Sequence, residues 1–245
     1  CALPISLDDN LNNVTNFIFY GPPGSGKYSS ALKLIEKYSN SNLKYEKKMI
    51  ITSNKNEHVI KISDIHYEVD MSLLGCQSKL LWNEIYNQII DIILAKSEKS
   101  GIIVCKNFQD IHSELLDIFY SYMQKIINSN VKIKFILITC HLSFIPYNII
   151  NKCKTLYFSR LSKSNILKIC NTKNKKFINN LSNNESKTLI NNVCNLAIYK
   201  NQIFTCDYEK YIILHKNISG NLLNHLLYNK LDFYNLRNDL YNILI

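Results

Sequence analysis

Phe17-Ile18-Phe19-Tyr20-Gly21-Pro22-Pro23-Gly24-Ser25-Gly26-Lys27-Tyr28 joins an apolar run to a glycine-rich loop and a lysine. Three glycines let the backbone curl so that successive N–H groups face one point, and a helix opening near Ser29 adds its positive end. Lys27 supplies a mobile cation. Gly-Pro-Pro-Gly is also a good turn sequence, so its surroundings decide the reading. The run before it is strand-like, and Ala31, Ile35 and Tyr38 follow at helical spacing. The stretch therefore reads as a phosphate-binding loop between a strand and a helix, and it predicts a bound nucleoside triphosphate. The residues expected to hold it are Gly21, Pro22, Pro23, Gly24, Ser25, Gly26, Lys27, Tyr28 and Ser29. The pattern GxxxxGK[ST] ends in a hydroxyl that ligates magnesium, and that place is held here by Tyr28.

Outward from the loop, residues 43–52 and 59–63 read as a hairpin, and His66 to Asp70 as a further strand. A long helix follows with Leu81, Ile85, Ile89, Ile92 and Ile93 on one side, and Gly101 fits its stop. Ile102-Ile103-Val104-Cys105 is a short continuous apolar run, as in a strand buried on both faces of a parallel sheet. Asp110 is expected to cap the next helix, which carries Leu115, Leu116, Phe119, Met123 and Ile127. Ile133 to Thr139 and Thr155 to Phe158 complete the strands. Alternating strands and helices opened by such a loop predict a three-layer α/β domain over residues 1–160, with nucleotide at the strand ends. From Ser162 the apolar spacing turns helical, giving a small lid over 161–216. A strongly apolar helical segment over 217–245 reads as cut short.

Composition narrows the class. The chain has 245 residues, 47% of them hydrophobic, and no apolar stretch of the roughly 18 residues that span a bilayer. Its eight cysteines show no zinc or CxxC spacing, so they read as reduced thiols of an intracellular protein. No secretory signal is evident, and a start at Cys1 leaves the true N-terminus open. The net charge of +10 favours an acidic partner. That charge is discounted, because lysines are scattered and Arg160 and Arg237 are the only arginines, a pattern of coding bias.

From about residue 14 to residue 170 the chain resembles the AAA+ ATPases, and among them the small subunits of replication factor C, the sliding-clamp loader. The carriers are Gly21 to Lys27, Lys61 to Asp70 ahead of a long helix, the strands Ile102 to Cys105 and Phe135 to Thr139, and Pro146 to Cys153, which ends in Asn151-Lys152-Cys153 where the family has Ser-Arg-Cys. The resemblance implies a P-loop domain, a helical lid and the start of a helical collar. It implies ATP or ADP as cofactor, a hetero-oligomeric ring with other clamp-loader subunits, and a sliding clamp and primer-template DNA as partners in DNA replication or repair. The setting implied is nuclear or a viral replication site.

The departures fall on cleavage. The Asp-Glu pair that orders magnesium and polarises water matches Lys106 and Asn107, the sensor asparagine matches Cys140, and the arginine finger offered to a neighbour matches Lys152. Lysine cannot hold a metal and asparagine cannot accept a proton. Since a general base contributes about 10²–10⁴-fold to rate, weak or no hydrolysis is expected, and magnesium is doubtful. Ser29 could shift toward the hydroxyl place, although one residue on a helix turns the direction by about 100°. Glu68 and Asp70 could order a metal beside the loop, but such residues more often cap the turn into a helix. His66, His112 and His141 read as local hydrogen-bonding residues, and Trp82 as packed on the sheet. Two alternatives stay open: a nucleotide kinase, whose loops share Gly-Pro-Pro-Gly-Ser-Gly-Lys, and a nucleotide-free scaffold.

Overall fold

The computed structural model describes residues 14–53, 56–125, 131–160 and 162–169, together with Leu223 and Arg237. The chain divides after Ser159 into two units.

The first unit alternates strands and helices. β1 (Asn16–Tyr20) leads through the loop into α1 (Lys27–Glu36), and β2 (Lys47–Ser53) and β3 (Asn56–Ile62) form a hairpin. Next come β4 (His66–Asp70), α2 (Ser78–Leu94), β5 (Ser100–Lys106), α3 (Ser113–Lys125), β6 (Lys132–Thr139), α4 (Tyr147–Ile150) and β7 (Cys153–Tyr157). One seven-stranded sheet has the order β2-β3-β4-β5-β6-β1-β7. β4, β5, β6, β1 and β7 are parallel, while β3 runs antiparallel to both β2 and β4.

Period-two alternation sends side chains of one strand to opposite faces. Ile18 joins a core with Trp82, Ile85, Ile89, Phe119, Phe135 and Leu137, drawn from α2, α3 and the sheet. Phe17 and Phe19 join Ala31, Leu34, Ile35, Val104, Ile138 and Phe158 on the α1 side. Helices therefore cover both faces, which gives the expected three layers. Trp82 is fully buried with its ring centroid 5.3 Å from Phe119 and 6.2 Å from Tyr122, so it packs on α3 as well as on the sheet side of its core.

Two local readings need correction. Gly101 does not stop α2, which ends at Leu94; it lies inside β5. A Cβ there would sit 2.7 Å from Ile93 Cδ1, so glycine is what lets α2 lie close on the strand. Asp110 does not cap α3. It closes a short 3-10 turn, Phe108–Asp110, and α3 starts at Ser113. His112 provides the entry instead, its carbonyl accepting from Leu115 N at 3.1 Å and Leu116 N at 3.0 Å.

In the second unit α5 (Lys163–Ile169) begins after Ser162, whose hydroxyl accepts from Asn165 N at 3.3 Å. The further lid helices and the collar segment lie outside the described residues, apart from Leu223 and Arg237, which are helical.

β1 sits between β6 and β7, so chain that leaves it toward α1 and chain that returns through β7 lie on opposite sides of the strand. Such a reversal of strand order opens a crevice beyond the carboxyl ends of the strands. The glycine-rich loop emerges there.

Candidate functional site

The loop is shaped by its glycines. Gly21, Gly24 and Gly26 have φ of 149°, 69° and 85°. Gly21 is also a point of close approach: an added Cβ would lie 2.1 Å from the carbonyl oxygen of Phe158. That contact comes from the end of β7, where Phe158 N donates to Tyr20 O at 2.8 Å. Gly26 begins α1 in a left-handed conformation without a side-chain cap, so the helix offers its first N–H groups to whatever lies in the loop.

Lys27 turns back over that curve. Its Nζ donates to Gly21 O at 2.6 Å and to Pro22 O at 2.8 Å, and it stands 4.0 Å from Cys140 Sγ. Only 7% of the residue is exposed, and burial holds the ammonium below the usual lysine range against a smaller opposing pull from Cys140. Among the described residues no carboxylate pairs with it. Neutral carbonyls compensate a buried ammonium only in part, so the place favours an incoming anion. Ser25 adds a buried hydroxyl without a hydrogen-bond partner. Gly24 and Pro22 are half-buried, and Pro23 is exposed at the rim. Ser29 is exposed too, so the one-residue slip that would bring it into the hydroxyl place is not made.

Beside the loop, the carboxyl ends of β4 and β5 form a second, closed arrangement. Tyr28 OH donates to Glu68 Oε1 at 2.5 Å. Lys106 Nζ lies 3.3 Å from Glu68 Oε2, an ion pair whose geometry falls short of an aligned hydrogen bond. It also stands 5.3 Å from the centroid of the Tyr28 ring, within cation–π range. His66 Nε2 is 3.3 Å from Glu68 Oε1, and Ser63 Oγ holds His66 Nδ1 at 2.5 Å.

Charge explains why a carboxylate tolerates this depth. Glu68 is 2% exposed, and burial alone would raise its pKa. The hydrogen bonds from His66 and Tyr28 and the charge of Lys106 outweigh that and bring it down to about 2. The same cluster, with burial first and the Glu68 bond second, pushes the Tyr28 hydroxyl far above its usual range. Tyr28 therefore stays protonated and donates.

The remaining sequence candidates sort by position. Asn107, left-handed with φ 50°, donates its amide to Asp70 Oδ1 at 2.9 Å and Oδ2 at 3.1 Å. Asp70 caps the 3-10 turn Met71–Leu73 through Ser72 N at 3.2 Å and accepts from Ser72 Oγ at 2.7 Å. The helix-capping reading of Asp70 thus holds, whereas Glu68 joins the cluster that sequence patterns had not assembled. Cys140 follows β6 and donates its N–H to Gln109 Oε1 at 3.2 Å, so Gln109 is a further residue at this end of the sheet. Lys152 is exposed and precedes β7 at the residue before Cys153, which pairs with Asn16 at the start of β1. Five strand residues at about 3.3 Å each separate that end from the loop, so Lys152 does not serve its own loop. His112 Nδ1 is buried without a partner, and the backbone of His141 bonds to the Thr139 hydroxyl.

Magnesium does not fit these residues. It needs several oxygen ligands at about 2.0–2.1 Å, yet the Tyr28 hydroxyl donates to Glu68, and Glu68 already faces three partners. A divalent ion beside the Lys106 ammonium would meet like-charge repulsion that the paired Glu68 carboxylate offsets only in part. Among the described residues there is no group of three or more His, Cys, Asp or Glu that could hold a metal. A separate cavity of about 280 Å³ lies near the amino end of β5, lined by Tyr38, Asp64, Ile65 and Lys96. It is remote from the loop, and Lys96 there is held by Asp64 O at 2.6 Å and Tyr67 OH at 2.9 Å.

No protein-family model matches the chain, and no curated protein matches it. Solved structures do. The Trip13 complex with HORMA and CdnC from E. coli MS115-1 aligns at 13% identity and a TM-score of 0.43, covering 72% of this chain and 55% of that one. PCH-2 of C. elegans aligns at 9% identity and 0.45, covering 78% and 53%. The RuvB Holliday junction branch migration motor of Thermotoga maritima aligns at 10% and 0.42, covering 76% and 57%. The chain thus spans little more than half the length of these proteins. No residue role, ligand or partner carries over at this level of likeness. Among the described residues no helix is long and apolar enough to cross a membrane.

Proposed function

We propose that this chain binds ATP on the Gly21–Lys27 loop and hydrolyses it weakly or not at all, as a divergent AAA+ protein of the clamp-loader small-subunit kind. The observation that carries the binding half is Lys27: a buried ammonium at the positive end of α1, facing backbone carbonyls and no carboxylate among the described residues. Triphosphate oxygens would replace those neutral acceptors with anionic ones, adding charge–charge attraction to bonds that the ammonium already assists, and the loop amides and the buried Ser25 hydroxyl would add further donors.

The hydrolysis half rests on what surrounds the place of the attacking water. Asn107 has no basic group, and its amide is engaged by Asp70. Lys106 carries a positive charge where the family places an acid. Without a base to align water, rate falls by about 10²–10⁴-fold, and losses of groups that act together do not multiply.

Nucleotide in such a site steadies an interface rather than drives a cycle. The reading therefore extends to a ring of related subunits that opens a sliding clamp and sets it on primer-template DNA in replication or repair. Lys152, exposed at the amino end of β7, would reach a neighbour's nucleotide as a point charge without the planar fork of arginine. Support for this part is the motif resemblance around Pro146 to Cys153 and the position of Lys152 far from its own loop.

The deciding experiment is an ATP-dependent thermal shift of wild-type protein and Lys27→Ala, run beside a turnover assay. Wild type should be stabilised by saturating ATP, and Lys27→Ala should lose at least about tenfold in affinity. Brisk turnover would overturn the hydrolysis half, and an absent shift would overturn the binding half. In a reconstituted ring, unchanged ATPase and clamp loading by Lys152→Ala would remove the trans-acting role.

A further inference from the structure

We infer that Lys106 is a resident counter-cation of the nucleotide site, so that ATP binds here without a divalent metal. The inference rests on the ATP-binding reading above and adds to it what balances the phosphate charge.

Phosphate-loop proteins hold their metal between a hydroxyl on the first turn after the loop lysine and a carboxylate at the end of a neighbouring strand. In this chain the first place is Tyr28 and the second, by motif, is Lys106, the last residue of β5. These two side chains are built against each other. Tyr28 donates to one oxygen of Glu68 at 2.5 Å, Lys106 stands 3.3 Å from the other oxygen, and the Lys106 ammonium is 5.3 Å from the Tyr28 ring centroid.

Two departures from the usual pattern thus compensate one another through Glu68. Tyrosine reaches farther than threonine, which brings its hydroxyl to Glu68 on β4. Glu68 is fixed from behind by His66, itself held by Ser63. The carboxylate in turn holds Lys106, and the Tyr28 ring supports the ammonium from the side. Random decay of a metal site would leave unpaired groups. Here each polar replacement has a partner, and the product is a fixed ammonium, paired with Glu68, where a cation is normally recruited.

Lys106 keeps access to a ligand. Its side chain is 27% exposed, against 1% for Glu68, so part of it remains open to solvent, and to a ligand, while Glu68 orients it. Lys27 and Lys106 together then meet the triphosphate from the ends of β1 and β5, which flank β6, with no ion to be taken from solution.

The test is calorimetric titration of ATP into the full chain, once in EDTA and once in excess magnesium. Wild type should bind in EDTA as tightly as in magnesium, within about threefold. Lys106→Met should weaken binding in EDTA by at least about tenfold. The double variant Lys106→Met, Glu68→Gln should show the same loss, because it leaves no buried carboxylate unpaired. Binding confined to magnesium, or much tighter in it, would overturn the inference and leave ATP binding intact. Absence of binding in either buffer would remove the ATP reading and the inference with it. Folded variants that bind like wild type would also overturn the role of Lys106. If neither variant folds, the wild-type comparison alone decides.

Discussion

Lys27 and Lys106 are both lysines at the carboxyl end of the same sheet, and their surroundings differ. Lys27 is buried against neutral carbonyls and a sulfur; Lys106 is half-exposed and has a dedicated carboxylate, a ring and a hydrogen-bonded support behind it. The first is a cation short of an anion, and the second is a cation already held in place. Under the proposed reading, such a site attracts phosphate at one point and repels a divalent metal at the next. The difference teaches that losing the usual cleavage residues need not mean losing the ligand, because the loop's attraction resides in main-chain amides and one lysine, whereas metal chemistry depends on two replaceable side chains.

Substitutions can break the comparison from either side. Gly21→Ala should do the greatest damage: its Cβ would lie 2.1 Å from the Phe158 carbonyl at a φ of 149°, and backbone on both sides cannot move aside. A loss of roughly 4 kcal/mol or more is expected, read as a fall in the denaturation midpoint, together with loss of ATP binding. A variant as stable as wild type would show that the loop does not rest on β7.

Glu68→Ala should come next. Removing one partner of a buried pair costs about 3–5 kcal/mol, and the lower end applies because the Lys106 ammonium can turn to solvent. Acidity sharpens this. The folded-state pKa of Glu68 lies near 2, below its ordinary 4.5, so the unfolded chain binds the extra proton between those values. The stabilisation is complete above about pH 5 and is lost as pH falls toward 2, an amount of roughly 3 kcal/mol. Glu68→Gln should flatten the stability profile between pH 2 and 5; an unchanged profile would place the acid sensitivity elsewhere.

Tyr28→Phe should have the smallest effect, about 1.5–3 kcal/mol for a hydrogen bond to a charged group. The ring remains to support Lys106, so ATP affinity in EDTA should change little. A large loss of affinity would mean that the hydroxyl, rather than the ammonium, faces the phosphates.

Much of this was legible in the chain. The loop, the strand His66–Asp70, the helix bearing Leu81, Ile85 and Ile89, and the run Ile102–Cys105 carry periodicities that follow from local geometry. Gly101 misled because a glycine after a helix can end it or let it lie close on a strand, and only the 2.7 Å approach of Ile93 separates the two. Asp110 misled in a similar way: acidic residues suit several positions near a helix start, and the 3-10 turn before α3 took this one.

The cluster at Glu68 was not legible. Tyr28, Glu68 and Lys106, 40 and 38 residues apart along the chain, read as two separate departures and a turn cap. Parallel pairing sets Glu68 opposite Val104 and Asp70 opposite Lys106, and only that register carries the lysine back to the carboxylate.

Amino-acid order alone determined the alternation of strands and helices and the presence of a glycine-rich loop ending in a lysine, because both depend on contacts within a few residues. Which charges meet at the strand ends was decided by tertiary structure. Electrostatic partners are chosen by distance in space, and the sheet order β4-β5-β6-β1 sets those distances.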